Sequence, residues 1–139
     1  MSDGVQAKST GRSIVAVIAG LLTVVALDLG IDAAMHAAGA FPPGRQPMND
    51  QQCMLAISYR LIDGILGGYV AARLAPSRAL RHAVILGCIG IVLSLAGAIA
   101  TWNMNLGPRW YSLALVVVAL PCASIGGATR ARQLASPKP

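Results

Sequence analysis

Asp28, Asp32 and His36 recur every four residues, and Arg60 and Asp63 stand three apart, in a chain that otherwise confines charge to its ends and short connections. Both spacings keep side chains on one face of a helix, since four residues overshoot a full turn by only ~40°. Three chemistries are open to such a set. The acids can pair with Arg60, they can carry protons or small cations, or Asp-x3-Asp-x3-His can offer oxygen and nitrogen ligands to a metal. The metal reading centres on Asp32 and His36 and is the weakest, because three ligands spread over two turns need completion from another helix and Arg60 competes for the carboxylates. Other constellations are missing. Ser58, Ser94 and Ser124 have no histidine at matching depth, His36 and His82 fall near opposite ends of their segments, and no phosphate-binding glycine loop occurs. No cofactor is expected, and no catalytic residue is assigned.

The elements that must position these residues follow from composition. The chain has 139 residues, 55% hydrophobic and 12% charged, with a mean hydropathy of +0.64. A soluble core of this size cannot hide so much apolar surface. The net charge of +6 does not point to nucleic acid, because the basic residues gather at the ends of apolar runs and aromatics are few. All five acids are aspartate.

Four apolar segments, approximately 13–38, 53–74, 80–102 and 110–129, each have about the 20 residues needed to cross ~30 Å of hydrocarbon. Spanning segments must satisfy their own backbone, and period-two alternation is absent, so all four are predicted helices. The expected fold is all-α: one domain, 1–139, built as an integral membrane four-helix bundle running up-down-up-down, with mobile tails at 1–12 and 130–139. Lys8, Arg12, Arg73, Arg78, Arg81, Arg130, Arg132 and Lys138 fall on one side, against Arg45 and Arg109 on the other. That bias predicts cytoplasmic N- and C-termini in a multi-pass protein of the inner (cytoplasmic) membrane. The first apolar run, although followed by Ala38-Gly39-Ala40, is too long for a signal peptide and is expected to stay uncleaved.

Short connections link the spans. Phe41-Pro42-Pro43-Gly44 ends the first, Asn49 or Asp50 can cap the second, and Ala75-Pro76-Ser77 makes a tight turn. Trp102, Trp110 and Tyr111 flank the last turn as an expected interfacial belt. His82, beside Arg81, is expected at the opposite interface. Small residues at Gly64, Gly68, Gly87, Gly90, Ser94 and Gly97 offer close helix packing, within one bundle or, for the GxxxG of Gly64 and Gly68, between copies. Pro121 is expected to kink the fourth helix. Cys53, Cys88 and Cys122 lack metal spacing and read as small buried hydrophobes, with a Cys88–Cys122 redox pair as the weaker alternative.

Depth separates the polar residues. Counted from the cytoplasmic ends, Asp28 lies ~22 Å in, Arg60 ~20 Å and Asp63 ~15 Å. Antiparallel neighbours then put Asp28 level with Arg60, leave Asp63 nearest the midplane, and raise Asp32 and His36 toward the outer face. Three acids against one arginine exceed what an ion-pair staple needs.

Leu29-Gly30-Ile31-Asp32 with His36 and Phe41-Pro42-Pro43, then Tyr59-Arg60, Leu66-Gly67-Gly68-Tyr69 and Ala72-Arg73-Leu74-Ala75-Pro76 form a recognisable series. With Arg81-His82-Ala83, Leu86-Gly87, Ala100-Thr101-Trp102-Asn103 and Trp110-Tyr111, the chain resembles small four-transmembrane-helix bacterial membrane proteins of unknown function. The resemblance implies an Asp and a His at Asp32 and His36 and a Tyr-Arg at Tyr59-Arg60, with Asp28 and Asp63 as departures. It implies no activity. Small multidrug-resistance transporters share only size, helix count and an acid in the first helix.

The leading expectation is a structural or accessory membrane protein, not an enzyme, whose Asp/Arg/His cluster lies between the first two helices. Its expected partners are the lipid bilayer and either a second copy or a membrane complex, with no nucleic acid. The alternative is a small proton- or cation-coupled transporter using the intramembrane aspartates. A membrane enzyme with a metal or quinone near Asp32 and His36 is the remote third reading.

Overall fold

Proline and glycine set the breaks between helices in the computed structural model, which describes the backbone of residues 2–44 and 46–136 and the side chains from Thr10 onward. Arg45 and Lys138, counted above for orientation, lie outside the described residues, as does the side chain of Lys8. Helix α1 spans Ser2–Ala37, α2 Asp50–Leu74, α3 Ala79–Thr101 and α4 Arg109–Ala135, and no strand occurs among the described residues. All four are long and apolar enough to cross a membrane.

The outermost boundaries differ from expectation. Segments 2–12 and 130–135, read as tails, continue α1 and α4 as helix. Neither contains proline, and once a helix is nucleated each further residue adds a hydrogen bond. Proline does end two helices. Ala75 precedes Pro76 with ψ 134° and Ser136 precedes Pro137 with ψ 126°, both extended, as the proline ring requires of its predecessor. Pro121 sits inside α4, which continues past it.

The ends of α1 and α2 are tied to each other. Gly39, at φ +73°, reverses the chain after α1 and lets Ala40 N–H donate to Met35 O at 2.9 Å. Asn49 caps α2 with Gln52 as its reciprocal partner, each backbone N–H donating to the other's side-chain oxygen. Gln52 Nε2 also donates to Ala40 O at 2.8 Å. Asp50 has a different role from capping: it accepts from Trp110 Nε1 at 2.8 Å and joins the starts of α2 and α4.

Helix α4 packs against both α2 and α3, while α1 packs on α2 and more lightly on α3; the backbones of α1 and α4 do not meet. Going round the bundle, the order is therefore α1, α2, α4, α3, with the α1–α3 side the loosest. Small residues decide the tight sides. A Cβ on Gly20 would come within 2.7 Å of Gly67 O, so these two glycines are where α1 and α2 approach most closely. Gly64 faces Cys122, Gly68 faces the Ala123 backbone, and Gly126 faces Ile65 and Tyr69, locking α2 to α4. Gly87 and Gly90 face Leu120 and Ala119 across the α3–α4 side. The Gly64–Gly68 face is thus occupied within the chain. Gly97 departs from the expected packing series: a Cβ there would meet nothing within 4 Å. His82, in the first turn of α3, is buried, with Nδ1 3.3 Å from Arg78 O.

Candidate functional site

The face of α1 that meets its neighbours is a stripe of fours: Ala16, Gly20, Val24, Asp28, Asp32. Its lower members are small enough to bring α2 close, and the close approach carries Asp28 and Asp32 to the level of Arg60. Arg60 Nη1 donates to Asp28 Oδ2 at 3.2 Å and Nη2 to Asp32 Oδ2 at 2.7 Å. Tyr59 Oη donates to Asp32 Oδ1. Both oxygens of Asp32 therefore have a donor from α2. One guanidinium bridges two carboxylates a helical turn apart, which suits its forked, rigid set of donors.

Asp63 is the exception. It is only 1% exposed, and Oδ2 is buried with no hydrogen-bond partner. The carboxyl lies within hydrogen-bonding reach of Asp28, whose own Oδ1 is also buried and without a partner. Arg60 Nε is a third such atom. The local inventory is three carboxyls and one guanidinium, with unmet acceptor capacity on Asp28 and Asp63.

Two cavities reach this group. A central one of about 120 Å³ is bounded by Asp28, Arg60, Gly64, Ser94 and Cys122. A larger cleft of about 550 Å³ runs from Asp28 and Arg60 along α3 and α4 past Ser94, Gly97 and Tyr111 to Arg109 in the connection's outer rim. Gly97 is better understood here, as a residue that keeps the cleft wide. Asp28 and Arg60 border both spaces, and Asp63 borders neither. The arginine and its two acids remain 25%, 22% and 29% exposed in their side chains, so the ion pair opens onto the cleft rather than being sealed.

Tyr111 and His36 take places that the sequence does not announce. Tyr111 turns inward, packing against the buried Phe41, Ala56 and Tyr59 and facing Arg60 from α4. Proximity to a helix end signalled an interface, whereas the helical phase shared with Leu115 signals the cleft. Arg109 stacks over Trp102 at 5.1 Å, and Trp110 holds Asp50. His36 does not join the carboxyl group. It is exposed, with Nδ1 2.8 Å from the Asp32 backbone oxygen and its ring edge-on to Phe41 at 5.5 Å. Asp32 is committed to Tyr59 and Arg60, and no three His, Cys, Asp or Glu residues are arranged to hold a metal ion among the described residues. The Asp32–His36 pair is therefore not assembled as ligands.

Cys53 and Cys122 are buried and Cys88 is exposed; all three are free thiols. Chemically, the cluster can fasten two helices, hold a cation or proton on its acids, and present one polar end to an otherwise apolar cleft. It lacks a nucleophile with a general base. No family model matches the chain, and neither a curated protein nor a solved structure matches it.

Proposed function

We propose that this is a small structural or accessory protein of the bacterial inner membrane, in which Arg60 fastens α1 to α2 so that the bundle presents one fixed shape to a membrane complex. The observation carrying this reading is the double bridge from Arg60 to Asp28 and Asp32. It commits Asp28 and Asp32 to attachment, in a helix that packs on α2 and α3 without reaching α4. The up-down-up-down course and cytoplasmic termini belong to the proposal. The charge bias supports them, as do the partners that meet in opposite order along α1 and α2: Gly20 with Gly67, Asp28 with Arg60, Asp32 with Tyr59. The resemblance to small four-span bacterial proteins supports the choice of membrane.

A second reading, proton- or cation-coupled transport, is favoured by a separate observation: the unpartnered carboxyl of Asp63 behind a cleft that reaches Asp28. Reconstitution separates the two. Under the accessory reading, the purified chain in liposomes moves neither protons nor sodium down an imposed gradient, and the native protein isolates in a stoichiometric assembly. Flux by the chain alone, abolished in Asp63→Asn, would replace the first reading with the second.

A further inference from the structure

Besides the Arg60 bridge, in which Asp28 takes part through Oδ2, the polar group brings the carboxyls of Asp28 and Asp63 together with no donor between them. Asp63 is buried to 1% exposure and Asp28 stands within hydrogen-bonding reach from the facing helix. Each has one oxygen that is buried and unpartnered. Two neighbouring carboxylates in an apolar interior repel each other, and the one guanidinium shared by Asp28 and Asp32 leaves a charge on Asp63 without a cation of its own. Arg60 is already engaged: its Nη1 reaches Asp28 and its Nη2 reaches Asp32, and among the described residues no ion pair joins it to Asp63. Tyr59, the other donor from α2, is taken by Asp32. From α4, Tyr111 faces Arg60, and Cys122 lies against Gly64. The α3 residues on the central cavity, Leu86, Gly87, Gly90 and Ser94, bring no ionisable group. The one compensating particle that fits between two buried carboxyls without extra space is a proton.

We infer that Asp28 and Asp63 form a proton-binding site in which one carboxyl stays protonated and donates a hydrogen bond to the other carboxylate across the α1–α2 contact. The proton is covalently held by one oxygen at any moment and no other bond changes. The site has a direction. Asp28 borders both cavities and Asp63 lines neither, so Asp28 is the member of the pair that faces the cleft running toward Arg109. The arrangement needs no transport to exist: in an accessory protein it is a static acid–carboxylate clasp, and in a transporter it is the loaded state. It therefore goes beyond either functional reading and can fail independently of both.

Infrared spectroscopy of the full chain in liposomes, with aspartate labelled in its side-chain carboxyl, reads the protonated group directly. The expected result at pH 7 is one protonated carboxyl per chain in the wild type, unchanged by sodium or potassium, and its loss in both Asp63→Asn and Asp28→Asn. No protonated carboxyl in the wild type would overturn the site. So would a signal that survives Asp63→Asn, or one displaced by adding sodium, which would make the occupant a metal cation. Should a variant fail to fold, the wild type still decides: a carboxyl band that shifts with the aspartate label and downshifts in deuterated buffer supports the clasp, and the absence of any such band overturns it.

Discussion

Asp63 stands one helical turn from Arg60 on the same face of α2, yet the guanidinium extends past it to Asp28 and Asp32 on α1. A local i,i+3 pair on an exposed helix is worth only a few tenths of a kcal/mol. Bridging two helices with a forked donor replaces that small local gain by the joining of two elements, and it leaves Asp63 to find compensation elsewhere.

The bridge predicts an asymmetry between its members. Arg60→Gln strips two partly buried carboxylates of their only cation and should cost about 3–5 kcal/mol. Asp28→Asn removes one carboxyl of the cluster while the Arg60–Asp32 pair persists, and should stay within about 1 kcal/mol of the wild type. Reversible unfolding in mixed detergent gives both values. Equal destabilisation by the two substitutions would contradict the bridge geometry.

Tyr59→Phe deletes the donor to Asp32 Oδ1 and should destabilise by roughly 1–3 kcal/mol, the cost of leaving a buried acceptor unmet. Tyr69→Phe is the control. Tyr69 Oη donates to Gln133 Oε1 at 3.0 Å and receives Arg73 at 3.4 Å in an exposed setting, so its loss should be near neutral. Paired melting curves in one detergent test the difference.

The glycines should divide by what lies opposite. Gly68→Ala drives a methyl into the Ala123 backbone and should cost about 1–3 kcal/mol through overpacking. Gly97→Ala meets nothing and gains helix propensity, up to about 1 kcal/mol. If both substitutions destabilise alike, the cleft at Gly97 is closed in the membrane.

Thiol accessibility offers a cheaper check. In detergent, N-ethylmaleimide should modify Cys88 quickly, while Cys53 and Cys122 resist until the bundle is unfolded. Intact-mass analysis counts the adducts, and early double or triple labelling would show that the buried thiols are open.

The four long apolar helices were legible because ~20-residue apolar runs have few alternatives, and the meeting of Asp28 with Arg60 followed from equal distance along neighbouring helices. What the sequence could not disclose was lateral. Gly20 is a lone glycine in an apolar run, and nothing along the chain says that it opposes Gly67. Distance from a helix end says nothing of angular phase, which turns Tyr111 toward Arg60 and buries His82. Gly97 shares the spacing of packing glycines but sits where α3 borders the cleft. The helical continuation through 2–12 and 130–135 was hidden by charge, which marks a membrane boundary without ending a helix.

The 32 residues between Asp28 and Arg60 also have a meaning in time. A ribosome adding roughly 5–20 residues per second makes Asp28 roughly 2–6 s before it makes the arginine. During that interval α1 carries two acids and no counter-charge, a poor candidate for release into lipid by itself. The unit handed to the bilayer is then the α1–α2 hairpin, and nascent chains stalled just before Arg60 should remain extractable by alkali, while those stalled past Leu74 should not.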